Sequence, residues 1–224
     1  FQRCLEKTEQ FENLREFRLR FNCACINDYH RHFETEVAET IRFRTQVLLL
    51  AFETLARGIR SQTLPHFDTL TLENLQDSVS TTVYASKSFA TVLSRIKKLH
   101  LSIATEYDEA APEETIEKPA CHKMFTHDLI NRWLLPVQHH LTHLSIYGTS
   151  CLWGFYPFCD LRRTHFPYLQ SLSLGNYTIA HTWQIDWILS HSSTLQELYL
   201  DYCPLLTIAR LTTKEVTPHW PDLP

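Results

Sequence analysis

The residues best equipped for chemistry in this 224-residue chain are its 7 cysteines and 13 histidines. Cys23-Ala24-Cys25 followed by His30-Arg31-His32 makes a CxC-x4-HxH arrangement with four zinc-capable side chains. A structural zinc site usually spaces its cysteines by about two to four residues and sets its second pair far downstream. CxC holds a metal when both thiolates lie in a loop. The simpler expectation is a turn at Asn22 filled by the cysteines, with surface histidines beyond; zinc at Cys23, Cys25, His30 and His32 is the open alternative. His139, His140 and His143 contain an HxxxH pair, which on a helix would present two ligands on one face. Pro136 ends the helix before them, His143 falls in a strand, and no glutamate lies between, so no metal is expected there. A catalytic thiol needs a local field that lowers its pKa. Cys151 and Cys159 flank aromatic residues instead, and Cys203 suits a structural turn. Trp183 and Trp187, at helical spacing, read as a helix face buried on a core rather than a ligand box.

Glycine narrows the field further. The chain has only 4 glycines against 10 prolines. None of Gly58, Gly148, Gly154 and Gly175 stands close enough to another to build GxGxxG, GxxxxGK[ST] or GxSxG. Phosphate cradles need glycine for positive φ and close backbone approach. Phosphate-loop enzymes, dinucleotide binders and nucleophile-elbow hydrolases are therefore excluded, and no cofactor is expected. A net charge of −4, from 21 basic and 25 acidic residues, gives no electrostatic reason to expect nucleic acid or an anionic membrane. The longest aliphatic run, beginning at Val47, is too short to cross a bilayer. An odd number of irregularly spaced cysteines does not read as a disulfide framework. A reduced intracellular protein of cytoplasm or nucleus is the expectation. A chain opening on Phe1, without a leader, is expected to be a fragment or a trimmed product.

One spacing recurs along the chain: apolar, two residues, apolar, one residue, apolar. It runs through Leu14, Phe17, Leu19, then Phe67, Leu70, Leu72, then Ile96, Leu99, Leu101. It returns at Leu141, Leu144, Ile146, at Leu169, Leu172, Leu174, and at Leu195, Leu198, Leu200. The steps from Leu72 to Leu101, Ile146 to Leu174 and Leu174 to Leu200 fall at or near the roughly 20–29-residue period of leucine-rich repeats. Helical stripes lie between the triplets: Val37 to Ile59, Phe89 to Ile96 behind the cap Ser86, Phe125 to Trp133, and Trp183 to Leu189. A weaker helical turn is read at Phe155, Phe158 and Leu161. The strand cores alternate apolar and polar, whereas doubly wound sheets carry continuous apolar runs. The predicted fold is α/β, an irregular leucine-rich-repeat solenoid with parallel strands on the concave side and helices on the convex side. It spans residues 1–211, with an acidic insertion about 107–120 and a tail at 212–224. The insertion reads as a solvated loop, with an acidic docking site as its alternative.

In this arrangement one face of the sheet is polar and free of packing duty. Its predicted partner-binding residues are Glu16, Arg18 and Arg20; Thr69, Thr71 and Glu73; and Lys98, His100 and Ser102. They continue as His143, Ser145 and Tyr147; Ser171 and Ser173, with Gly175 leaving room for a partner; and Glu197, Tyr199 and Asp201. The face is expected to run from basic near the N-terminus to acidic near the C-terminus. Leu195–Cys203 reads LxxLxLxxC, and Leu14–Asn22 ends the same pattern in Asn22. A buried Asn or Cys at that place is expected to satisfy turn carbonyls.

The stretch Phe166 to Tyr177, continuing through Trp183–His191 and Thr194–Pro204, resembles the leucine-rich-repeat portion of F-box domain-containing proteins of filamentous fungi. Leu72–Asp77 and His143–Tyr147 resemble the same proteins. The resemblance covers most of the chain and is strongest from about Leu141 to Leu205. It implies a non-enzymatic substrate receptor of a Skp–cullin–F-box ubiquitin ligase, with a protein as its target. The F-box itself is absent from this sequence: Leu64-Pro65 leads straight into a strand. The Skp adaptor would be met only through that missing domain. The alternatives are a free-standing leucine-rich-repeat binding protein without a ubiquitin link, a Cys/His hydrolase, or a small zinc protein.

Overall fold

The computed structural model describes residues 7, 11–25, 39–105, 119–149 and 151–208. The expected pairs Cys23/Cys25 and His30/His32 are split by this boundary, because both histidines lie outside the described residues. So do the tail 212–224 and the acidic segment up to residue 118.

Alternating side chains put one face of each strand toward a core and the other toward water. All six triplets become strands: β1 (Glu16–Arg20), β2 (Thr69–Gln76), β3 (Lys98–Ala104), β4 (His143–Gly148), β5 (Ser171–Gly175) and β6 (Glu197–Asp201). They form one six-stranded sheet in chain order, β1 to β6, and every neighbouring pair is parallel. Parallel neighbours require a crossover. The crossovers carry α1 (Ile41–Arg60), α2 (Thr81–Tyr84), α3 (Lys87–Leu93), α4 (Pro119–Lys123) with the π-helix Met124–Leu134, and α5 (Thr182–Leu189). The chain is thus α/β with an open parallel sheet.

The helices start where the sequence offers a cap. Ser86 Oγ accepts from the Phe89 N–H at 3.1 Å, satisfying one of the donors that a helix start leaves free. Thr40 Oγ1 does the same for the Phe43 N–H at α1, four residues after the expected stripe begins. The π-helix ends at Leu134, and Pro136 sits in the 3-10 turn Leu135–Val137 that follows. The helical turn expected at Phe155, Phe158 and Leu161 does not form. Gly154 turns the chain at φ +100° and bridges to Phe158, and only Leu161–Arg163 makes a 3-10 turn. Pro157 supplies no N–H to a helical ladder there.

Inward residues of the sheet and helices form one apolar cluster from Phe17 to Ile188. Phe52, Phe89 and Trp133, from α1, α3 and the π-helix, pack with edge-to-face or tilted rings 5.0–6.4 Å apart. Trp187 is buried and its Nε1–H donates to the Thr164 carbonyl at 2.8 Å, as a core helix face requires. Trp183 is half-buried under the Arg162 guanidinium, 4.9 Å from its ring.

Five successive strand starts share one hydrogen-bond device. The Arg15 carbonyl accepts from the Asp68 and Thr69 N–H groups, and the Asp68 carbonyl accepts from those of Lys97 and Lys98. Lys97 serves Thr142 and His143; Thr142 serves Gln170 and Ser171; Gln170 serves Gln196 and Glu197. Each strand is thereby registered on its predecessor by the same two bonds.

Candidate functional site

The strand register gathers the predicted polar residues into three rows across the sheet. The first runs Glu16, Thr69, Lys98, His143, Ser171, Glu197; the second Arg18, Thr71, His100, Ser145, Ser173, Tyr199. The third pairs Arg20 with Glu73, Ser102 with Tyr147, and Tyr147 with Gly175, which faces Asp201. A shallow depression of about 460 Å³ occupies the β1–β4 part of this face, lined by Glu16, Arg18, Thr69, Thr71, Glu73, Lys98, His100, Ser102, His143, Ser145 and Tyr147. Arg20 stands at its rim on Glu73, while Ser171, Ser173, Glu197, Tyr199 and Asp201 lie beyond it on the same face.

The N-terminal end is not an open field of positive charge. Arg18 Nη2 meets Glu16 Oε1 at 3.0 Å, Arg18 Nε lies 3.7 Å from Glu73 Oε1, and Arg20 Nε pairs with Glu73 Oε2. The Thr71 hydroxyl adds a 2.9 Å bond to Glu16 Oε1. The expected basic-to-acidic gradient is therefore blunted, because two carboxylates neutralise two guanidiniums. Burial alone would raise the Glu16 pKa; the Thr71 hydroxyl and the Arg18 guanidinium outweigh it and hold the carboxyl below its ordinary value. The Arg20 hydrogen bond does the same for Glu73.

The imidazoles of His100 and His143 are shifted the other way. Burial lowers His100, with His143, Arg18 and Lys98 adding to it and Glu16 opposing. Burial, then Lys98, lowers His143, against Glu197 and Asp68.

The room expected above Gly175 is taken by this protein's own Tyr147. A Cβ on Gly175 would stand 2.0 Å from the Tyr147 ring, and the Tyr147 hydroxyl shares a 3.2 Å bond with Ser173. The absent side chain lets a neighbouring ring lie across the strand.

At the strand ends, Cys203 does what its position suggests. Its Sγ–H reaches the Leu174 carbonyl at 3.2 Å. Asn22 does not: it is exposed, and its Oδ1 accepts from the Ala24 N–H at 2.9 Å. The carbonyls at that turn are served instead by buried Arg44 of α1, which donates to Asn22 O, Ala24 O and Asn74 O, and by Asn74 Nδ2, which donates to Phe21 O. Asn176 Nδ2 likewise donates to Gly148 O. Asn74 and Asn176 have φ of +57° and +59°, a region that asparagine tolerates better than most residues. Each stands two places after the last apolar residue of its triplet, the signal that could have identified both. A further polar group at the face was not anticipated: the Ser102 and Thr149 hydroxyls lie 2.6 Å apart, and Thr149 also reaches Asn74 Oδ1.

Among the described residues, the remaining chemical candidates do not converge. Cys25 is buried whereas Cys23 is exposed. His140 Nε2 lies 3.1 Å from the Leu93 carbonyl, and His139 is 3.2 Å from the Gln138 amide. Among the described residues, no group of three or more His, Cys, Asp or Glu side chains could hold a metal ion. The displaced thiol pKa values move upward: Cys121 through its contact with Cys151 and burial, Cys159 and Cys203 chiefly through burial. A nucleophilic thiolate needs the opposite shift. No described helix is long and apolar enough to cross a membrane.

No family model, no curated protein and no solved structure matches the chain.

Proposed function

We propose that this chain is an irregular leucine-rich-repeat solenoid that recognises a protein target through the polar face of its sheet and performs no catalysis. The observation that carries the reading is the shared strand start: five crossovers of unequal length each return the chain to the same two-bond junction. A structural unit that repeats while its helices vary is the behaviour of a degenerate repeat array. Such an array leaves the strand face free for a partner, and here that face holds a polar depression with paired charges and hydroxyl groups rather than an aligned nucleophile and base. By the sequence resemblance, the array serves as the target-binding part of a Skp–cullin–F-box ubiquitin-ligase receptor, in the cytoplasm or nucleus.

Two experiments separate these statements. A photo-crosslinking residue at Ser145 or Ser173 should trap the same target, and one at the exposed Glu53 of α1 should not. Crosslinking from Glu53 alone would overturn recognition by the sheet face. Co-purification of a Skp adaptor with the full gene product tests the ligase link independently.

A further inference from the structure

Within the depression, two nitrogen-bearing side chains of β3 have no partner. The Lys98 ammonium and the His100 ring are half-buried, and neither makes an ion pair or hydrogen bond to any described residue. Their nitrogens are not fully buried, so water serves them in the free protein and a ligand group can take its place. Beside them on β4, His143 spends Nδ1 on the Thr142 hydroxyl at 2.9 Å and keeps Nε2 free of described partners. Lys98 and His143 are register partners, about 5 Å apart across a parallel ladder, and His100 follows Lys98 on the same face. With Arg18 and Arg20 matched by Glu16 and Glu73, the Lys98 ammonium is the uncompensated formal charge among the described lining residues.

We propose that Lys98, His100 and His143 form a seat for an aspartate or glutamate side chain on an extended acidic segment of the target protein. The inference rests on the reading of this face as a recognition surface and names what it recognises. A carboxylate needs two or three donors at one point; the Lys98 ammonium supplies them from the start, and the His143 Nε2 becomes a donor when the ring takes up a proton, because its Nδ1–H is spent on a Thr142 hydroxyl that itself donates to the Lys97 carbonyl. The depression is open and crosses four strands, and Ser145 stands beside the seat with a hydroxyl for a further polar contact. A phosphate-sized anion would be less well served, because the backbone N–H groups beneath are committed to the strand ladder.

The charged surroundings give the seat a pH signature. His100 faces Glu16 and Arg18 of β1, Lys98 of β3 and His143 of β4; His143 faces Lys98, Asp68 before β2, and Glu197 of β6. Burial pushes both imidazole pKa values below the ordinary one, which favours the neutral rings in the free protein. An arriving carboxylate favours the imidazolium form, so binding takes up protons and tightens as pH falls.

The test is fluorescence anisotropy of a fluorescein-labelled octaglutamate peptide. Uptake of a proton predicts binding several-fold tighter at about pH 6 than at about pH 8. Lys98→Gln should weaken binding about tenfold at both pH values, and Lys98→Arg should retain most of it. His100→Gln should flatten the pH dependence, while Lys87→Gln on α3 should change nothing. Circular dichroism establishes that each variant is folded. Octaglutamate binding that ignores Lys98→Gln, or that does not strengthen toward about pH 6, overturns the proposal. So does binding of inorganic phosphate at this site without binding of the peptide. A target crosslinked at Ser145 while octaglutamate fails to bind removes this inference and leaves the recognition surface standing.

Discussion

Strands β3 and β6 carry the same core, Leu99-His100-Leu101 and Leu198-Tyr199-Leu200, and meet their predecessors in equivalent register. Their burial differs sharply. Leu99 and Leu101 are 0% and 2% exposed, whereas Leu198 and Leu200 are both 45% exposed. β3 lies between two strands and beneath the helices on either side of it in the chain. Among the described residues β6 has a single strand neighbour, and Ile185 and Leu189 of the preceding α5 are themselves exposed. Alternation therefore decides which face a side chain occupies, while packing by neighbouring elements decides whether that face becomes a core. The same six letters of pattern build an interior in one place and an apolar edge in another.

The largest effect should come from breaking this contrast directly. Leu99→Ala should cost about 2–5 kcal/mol, because it removes buried methyls and leaves a cavity in a layer closed on both sides. Leu198→Ala should cost about 1 kcal/mol, since roughly half of its side chain is already in water. Urea denaturation of the two variants compares them under one condition. Equal losses would mean that Leu198 is covered in solution, and the contrast would fail.

A second difference lies on the polar side. Around β3 the rows are lined by charges and imidazoles; at β5 they close over, because Tyr147 lies across Gly175. Gly175→Ala should destabilise the protein by about 1–3 kcal/mol by forcing the Tyr147 ring aside. Combining it with Tyr147→Ala should recover much of that loss in a double-mutant cycle. Additive losses would show that the ring is not what the glycine accommodates.

The strands and the two faces of each were legible in the sequence because a period of two leaves little choice once Leu, Phe and Ile mark every inward place. The paired charges of Glu16, Arg18, Arg20 and Glu73 were not legible as pairs, since Glu73 meets Arg20 only through the β1–β2 register. The depression needed β1 to β4 together. Gly175 was read as open space because the tyrosine that fills it comes from another strand. Arg44 was invisible as a turn-holder for the same reason: it reaches three carbonyls from a helix that pattern reading placed only as an apolar stripe.

Asn176 separates the two strand ends by a smaller amount. It carries the chain from β5 toward β6 at φ +59° and donates to the Gly148 carbonyl. Asn176→Gly keeps the backbone option and loses the bond, so a loss of about 1 kcal/mol is expected. Asn176→Ala loses both and should cost about 1–2 kcal/mol more. Thermal melts of the two variants give the difference; identical values would remove the positive φ as a constraint.

The subtlest effect concerns pH at the β6 end. His191, between α5 and β6, is 1% exposed and bonds through both ring nitrogens: Nδ1 lies 2.9 Å from the Trp187 carbonyl, and Nε2 accepts from the Phe166 N–H at 3.2 Å. Those partners require the neutral ring with its proton on Nδ1. Burial, reinforced by His165, holds the His191 pKa below its ordinary value, despite the backbone carbonyls of Trp187 and Ile188. A base with a lowered folded-state pKa contributes stability above its unfolded value, and that stability is lost as pH falls through the folded one. Wild-type protein should therefore lose stability below about pH 6.5, and His191→Gln should lose less over the same interval while being weaker at neutral pH. His100 and His143 shift in the same direction, so the difference between the two proteins, not the wild-type slope alone, isolates His191. Hydrogen exchange sharpens the test. Acid should release the amides of Phe166 and β6 before those of β3, because protonation expels the Phe166 N–H from its acceptor beside the less covered strand. Simultaneous release of both would place the titrating group elsewhere.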